Sequence, residues 1–203
     1  MSSAQAADGL VRLDRWLAGV PRGLDSYPEV RAKGALLRNV LEGQPLSELV
    51  GRLPAPLRVH VEEPPLAGDW VPEAHLAGLI LSIADLRRLT DGELRAWIRE
   101  RNRALFRSPA YKILMAVVSP GAMLRSAARR WEYWHRGTSL EVEGVADDGV
   151  RAVLRFPPGL FDGTMLCVFA GAFAAALEVA RAADPEVTVV SEGLDRATFL
   201  ARW

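Results

Sequence analysis

Residues 129–145, "RRWEYWHRGTSLEVEGV", hold the side chains best suited to binding a ligand. Trp131, Trp134 and His135 stand close together there, just before Gly137. Positions three and four apart share one face of a helix, so the two tryptophans and the histidine can line a common wall. One interpretation is an aromatic pocket with a histidine ligand, and the other is the packed end of a helix.

Helical spacing in residues 119–136 favours the second interpretation for His135. Met123, Leu124, Ala127, Trp131 and Trp134 recur along one side of this predicted helix. A glycine at position 137 is a typical residue after the last helical turn. We therefore predict that His135 caps the end of this helix or stacks on its neighbour, and that it does not ligate haem.

Catalytic chemistry has no recognisable motif in the sequence. The chain lacks the G-x-S-x-G, G-x-G-x-x-G and G-x-x-x-x-G-K-[ST] patterns, and His60, His75 and His135 belong to no metal-binding spacing. The only cysteine, Cys167, lies inside an apolar helix, where a thiol is normally inert. These observations predict no catalytic residue, no metal and no other cofactor. An enzyme assembled from dispersed residues such as Arg129, His135 and Glu141 is the less favoured alternative.

The stretch 163–177, "GTMLCVFAGAFAAAL", is the most unusual element because it carries no charge on any side. A helix that is apolar all round must be covered on more than one face, and this one is too short to span a membrane. We expect the sheet on one side and, on the other, the chain's own helices, a ligand cavity or a second copy. Met165, Phe169 and Phe173 are the candidate ligand contacts on this helix, beside Trp131, Trp134 and His135.

The remaining patterns predict an α+β fold. Residues 1–107 read as helices, over 28–43 and 73–88, with a proline-rich connection at 53–72 and a capping box at Thr90. Residues 108–203 give the order helix, β-hairpin at 138–156 with "ADDG" as its turn, long buried helix and two closing strands. We predict a helical N-terminal half packed on a C-terminal antiparallel sheet, in one compact unit.

Composition and charge restrict the partners. The chain has a net charge of zero, yet residues 87–136 carry twelve basic and four acidic side chains. An acidic partner could bind this segment, whereas nucleic acid is disfavoured because exposed aromatics and glycines are not interleaved with the arginines. No apolar run is long enough for a membrane span, and the first ten residues do not resemble a signal peptide. We expect a cytoplasmic protein.

Two resemblances extend these expectations. The segment from "GTSLEVEG" to "RATFLARW" resembles small-molecule-sensing domains of the 4-vinyl-reductase type and their haem-nitric-oxide-binding relatives. The cysteine-rich closing strand of the former and the Tyr-x-Ser-x-Arg motif of the latter are both missing, which argues against metal and haem. The whole chain, through "RAKGALLRNVLEG", "WVPEAHLAGLI" and "RRWEYWHRG", is similar to a family of about 200 residues described largely from myxobacteria. That similarity implies a fold and no activity.

These features together predict a non-enzymatic regulatory or protein-interaction module with a sensor-like fold. Self-association through helix 163–177 would accompany that role. The alternative is a carrier or sensor for a small molecule or lipid, with an apolar cavity beside the same helix.

Overall fold

A computed structural model describes residues 9–112, 120–146 and 149–203 of the chain. The helical half begins with α1 (Val11–Gly19), a 3-10 turn (Gly23–Asp25), a short strand β1 (Arg31–Lys33) and α2 (Gly34–Leu41). It continues with α3 (Leu46–Val50), α4 (Ala55–Glu62), β2 (Trp70–Pro72), α5 (Glu73–Leu86) and α6 (Asp91–Arg107). The capping box predicted at Thr90 is confirmed, since its hydroxyl accepts from the Glu93 amide and the Glu93 carboxylate accepts from Thr90.

The C-terminal half contains the predicted order of elements. It runs through α7 (Pro109–Lys112), α8 (Pro120–Arg129), α9 (Trp131–Trp134), β3 (His135–Arg136), β4 (Ser139–Ala146), β5 (Gly149–Arg155), α10 (Gly163–Val179), β6 (Glu186–Glu192) and β7 (Arg196–Arg202). Strands β4, β5, β7 and β6 form an antiparallel sheet in that order. Residue 119, the start of the helix predicted over 119–136, and residues 147–148 of the predicted hairpin turn lie outside the described residues.

A second, smaller sheet joins the two halves. Its strand order is β2-β1-β3, with Arg31 opposite Arg136 and Ala32 opposite His135. Sequence periodicity does not indicate these strands, because it predicts a helix over 28–43 and a proline-rich connection over 53–72. The structure has β1 in the first segment and the helix α4 in the second. The predicted helical start at Pro28 is therefore wrong, because the chain is extended until Gly34.

Helix α10 is covered by the chain itself. It packs most extensively on α6 and also contacts α8, β6 and β7. Between Met165 and Leu177 every residue is buried except Cys167 and Ala172, which are partly exposed. At Gly171 the helices approach so closely that an added Cβ would lie 2.6 Å from the backbone oxygen of Arg95. In the described part of the chain one large hydrophobic core runs through both halves of the molecule, and Met123, Ala176 and Ala180 form a small separate cluster. Among the described residues no helix is long and apolar enough to cross a membrane.

Candidate functional site

A cavity of about 120 Å³ lies between the two halves. Helices α2, α5 and α6 contribute one part of its lining, and α8, α9, β3 and α10 contribute the rest. All six residues selected from the sequence line it: Trp131, Trp134, His135, Met165, Phe169 and Phe173. The sequence therefore indicated side chains that the fold brings to one place.

The chain reaches this cavity through a break that helical spacing did not predict. Helix α8 ends at Arg129, and Arg130 leaves helical geometry with φ −107° and ψ 11°. After the single turn α9, His135 is extended and pairs with Ala32 in the small sheet. Gly137 then turns the chain with φ +77°, where an added Cβ would lie 3.1 Å from the Val30 Cα. The prediction of one helix ending at Gly137 is therefore wrong. His135 does take the C-cap position, but of the short helix α9, where its backbone N–H donates to the Trp131 carbonyl.

His135 and Glu73 form a buried pair at the cavity. Nδ1 of His135 lies 2.9 Å from Oε2 of Glu73, and the two residues are only 7% and 1% exposed. Glu73 is the first residue of α5, where the positive end of the helix dipole favours a carboxylate. Its backbone N–H donates to the Val30 carbonyl at 2.9 Å, which fixes the start of the helix. These two hydrogen bonds of Glu73 fix the pair in place, and the pair gives the cavity a polar region.

Aromatic rings form the adjoining wall. The imidazole of His135 stacks on Trp131 with centroids 4.4 Å apart and planes 17° from parallel, so the predicted stacking is confirmed. Trp131 lies 6.1 Å from Phe169 and 6.3 Å from Phe173, measured between ring centroids. Its indole Nε1 donates to the Thr138 hydroxyl at 2.8 Å, which holds the ring in place. This wall is therefore mostly apolar, and a hydrogen bond fixes the orientation of its central ring.

Trp134 belongs to a looser part of the lining. It is partly exposed and lies with its ring centroid 6.1 Å from Phe106 and 4.8 Å from Tyr111. Tyr133 beside it is exposed and meets the Trp134 ring edge to face. Trp134 thus connects the cavity to the protein surface.

Several lining residues were missed by sequence reasoning. Glu73 gave no signal, because an acidic residue at a helix start is normally solvated and its partner lies 62 positions away. Asn102 and Ser126 had a weak signal, since each is a polar residue on the inward, apolar side of an amphipathic helix: Asn102 follows Ile98 by one turn, and Ser126 follows Met123. Asn39 on α2 is a further buried polar residue in the lining that the sequence did not indicate.

The other two histidines of the chain form a pair outside this cavity. Nε2 of His60 is 2.8 Å from Nδ1 of His75, joining α4 to α5. Burial lowers the pKa of His75 to about 4, with a further lowering from His60 and an opposing effect of Asp25. Burial also lowers the pKa of His60. The described residues contain no group of three His, Cys, Asp or Glu side chains arranged to hold a metal ion.

The outer face of the small sheet carries cations. Arg31, Lys33 and Arg136 share that face, because alternate residues and directly paired residues point to the same side of a sheet. The Lys33 ammonium lies 4.2 Å and the Arg136 guanidinium 4.0 Å from the centroid of the Trp70 ring. Within the described part of the chain none of the three makes an ion pair. We call Arg31, Lys33, Arg136 and Trp70 the cationic face.

Comparison with known proteins shows a fold relationship. No protein-family model matches the sequence, and no curated protein gives a significant match. Among solved structures, the Fe(II) unliganded H-NOX protein from K. algicida superposes with a TM-score of 0.60 at 12% identity, over 84% of this chain and 95% of that one.

Two further structures agree with this relationship. An oxygen-binding H-NOX domain related to soluble guanylate cyclases gives a TM-score of 0.58 at 11% identity, over 83% of this chain and 91% of that one. The H-NOX protein from S. oneidensis in the Fe(II)NO ligation state gives 0.54 at 10% identity, over 84% and 98%. The chain therefore has an H-NOX-like α+β fold, and the predicted resemblance to sensor domains is confirmed at the level of the fold.

Proposed function

We propose that this protein is a non-enzymatic, sensor-like module that binds a small, mostly apolar molecule in the cavity between its two halves. The observation that carries the proposal is the cavity itself, with its aromatic wall and the buried Glu73–His135 pair. Its volume of about 120 Å³ is close to that of an engineered apolar cavity of roughly 150 Å³ that binds benzene. Pockets for drug-sized ligands are larger, at roughly 300–1,000 Å³, so the volume favours a small molecule over a lipid.

The fold relationship with H-NOX proteins raises the question whether this cavity could hold haem. The residues of this cavity do not fit it, because a porphyrin is at least as large as a drug-sized ligand and the cavity is not. Trp131, Phe169 and Phe173 fill the space beside His135, which is the only histidine in the described lining. The missing Tyr-x-Ser-x-Arg motif agrees with this mismatch.

A binding role suits the chemistry of the reactive groups better than catalysis does. One carboxylate oxygen of Glu73 is already engaged by His135. Burial raises the pKa of the Cys167 thiol, which keeps the sulfur protonated and poorly nucleophilic. These two features support a module that responds to a ligand without transforming it.

Native mass spectrometry and thermal unfolding test the proposal. Purified protein should carry a small apolar molecule, or its melting temperature should rise when small aromatic compounds are added. Ala172→Leu places three more carbon atoms beside the cavity and should abolish that rise. Ala104→Leu, at an exposed position of α6, is the matched control and should keep it. Equal responses of the two variants would contradict a ligand site in this cavity.

An acidic protein partner is a second candidate function, and the cationic face is the observation that favours it. Three cations without carboxylate partners attract anions and repel one another. Two of them, Arg31 and Lys33, lie outside the basic segment 87–136 from which this partner was predicted. Binding of a polyglutamate peptide should weaken with salt and should be lost in Lys33→Glu/Arg136→Glu. Arg15→Glu, at an exposed position of α1, should bind normally, and equal loss in both proteins would contradict the assignment.

Self-association, which the sequence predicts through helix 163–177, remains a prediction. Because the chain's own elements cover α10, a second copy would have to bind another surface. Light scattering that gives a strictly monomeric mass at high concentration would contradict self-association.

A further inference from the structure

Three polar side chains from three different helices line the cavity. Asn39 lies on α2, Asn102 on α6 and Ser126 on α8, and they are 8%, 8% and 6% exposed. Each is therefore more than nine-tenths buried. Nothing in the apolar walls requires polar groups at these positions, so their hydrogen bonds need to be accounted for.

Most of their hydrogen-bonding capacity is unused. Asn102 Nδ2 donates to the Ile98 carbonyl at 3.0 Å, which leaves its Oδ1 as a free acceptor. The carbonyl can only accept, so the amide orientation is determined by this bond. In the parts of the chain that the structure describes, the Asn39 side-chain amide and the Ser126 hydroxyl have no partner. Among the described residues, none of these polar atoms is a fully enclosed atom without a partner, so the surface that they keep lies open to the cavity.

The ionisable groups of the lining are already engaged. Glu73 is paired with His135 at 2.9 Å. Arg130 also lines the cavity and already interacts within the chain. An ionised ligand would lose its hydration on entering and would have to compete with the partners that Glu73 and Arg130 already have in the chain, which is unfavourable.

We infer that the ligand is a neutral molecule with a small apolar body and one head group that both donates and accepts hydrogen bonds, such as a carboxamide or a hydroxyl. This inference rests on the proposed binding function. A head-group N–H or O–H donates to Asn102 Oδ1, its oxygen accepts from the Asn39 amide, and Ser126 serves in either direction. The apolar body packs against Trp131, Phe169 and Phe173.

Titration calorimetry of the full chain with three single-ring compounds tests the inference. Benzamide has the neutral head group, toluene lacks it, and benzoate carries a charge. We expect benzamide to bind about tenfold more tightly than toluene, the equivalent of one net hydrogen bond. Benzoate should bind at least about tenfold more weakly than benzamide, because its charge must be desolvated.

Two variants assign the difference to the named side chains. Asn102→Leu should bring benzamide down to the affinity of toluene and leave toluene within about threefold of its original value. Ser126→Ala, the milder change, should show a smaller loss of the same kind, and circular dichroism checks that each variant is folded. If Asn102→Leu does not fold, Ser126→Ala alone decides.

The outcomes separate the two levels of the proposal. Binding of none of the three compounds would overturn the proposed function. Equal affinities for benzamide and toluene would leave a binding site whose polar groups are satisfied by water, and would overturn the head-group inference alone. Tightest binding of benzoate would also overturn it, in favour of an anionic ligand.

Discussion

Helices α6 and α10 meet in two places that differ in how closely they approach. At Arg95 and Gly171 the backbones touch, and even a methyl group would lie 2.6 Å from a carbonyl oxygen. Asn102 and Phe106, further along α6, and Ala172 and Phe173, directly after Gly171 on α10, line the cavity instead. One pair of helices thus provides both a fixed contact and an open one. The fixed contact should tolerate no added atom, whereas the open one should tolerate added volume but not lost hydrogen-bond partners.

The largest expected effect concerns the buried Glu73–His135 pair, which lines the same cavity as the open contact. Glu73→Ala leaves the His135 imidazole buried without its partner, and we expect the free energy of unfolding to fall by about 3 kcal/mol. Glu73→Gln keeps an acceptor of nearly the same shape and should cost about 1 kcal/mol. Urea unfolding followed by circular dichroism measures both. Equal losses would show that the side-chain volume of Glu73 matters and its hydrogen bond does not.

The next effect tests the fixed contact. Gly171→Ala forces α10 away from the Arg95 carbonyl, and we expect a loss of about 2 kcal/mol in the free energy of unfolding. Gly92→Ala is the matched control on α6, since no atom lies within 4 Å of the added Cβ. It should stabilise the protein by about 0.5 kcal/mol through better helix propensity. Similar values for the two variants would mean that the contact can relax at no cost.

The histidine pair away from both contacts provides a pH reference. Burial favours neutral His75, whose pKa falls from 6.5 to about 4 in the folded protein. Its contribution to stability is therefore complete above pH 6.5 and is lost as the pH falls towards 4. Since the residue is partly exposed, we expect a loss of about 1–2 kcal/mol over that range. The pH dependence of unfolding should flatten in His75→Gln, and an unchanged slope would assign it to other groups.

The smallest expected change in stability makes the sharpest contrast with Gly171. Ala172 is the next residue of α10, and its side chain lines the cavity. Ala172→Leu adds far more volume than Gly171→Ala does, yet the free space should limit the change to about 1 kcal/mol or less. Thermal unfolding compares the two variants directly. A larger loss for Ala172→Leu would mean that the cavity does not accept this side chain.

Long periodic segments were predictable from the sequence, and short ones were not. Helix α10, the hairpin β4–β5 and the strands β6 and β7 show enough residues for their period to be visible. Strands of three and two residues show none, so the small sheet was missed. Its pairing depends on contacts between residues 31–33, 70–72 and 135–136, which local patterns do not encode.

The candidate site was predictable only where its residues lie in long periodic segments. Trp131, Trp134, Phe169 and Phe173 follow from helical spacing beside an apolar helix. The partner of His135 does not, because it depends on a tertiary contact between the start of α5 and β3. The break at Arg130 decides that His135 becomes part of a strand, and it has no glycine or proline to announce it.

The two residues of β3 have a practical consequence. His135 faces the interior, and Arg136, whose Cα is about 3.8 Å away, faces the solvent. A label attached at position 136 would therefore stay outside the cavity, although it is bonded to the residue next to His135, whose side chain lines the cavity. An environment-sensitive dye in Arg136→Cys, with Cys167 replaced by alanine, gives an optical readout of cavity occupancy without touching the bound molecule.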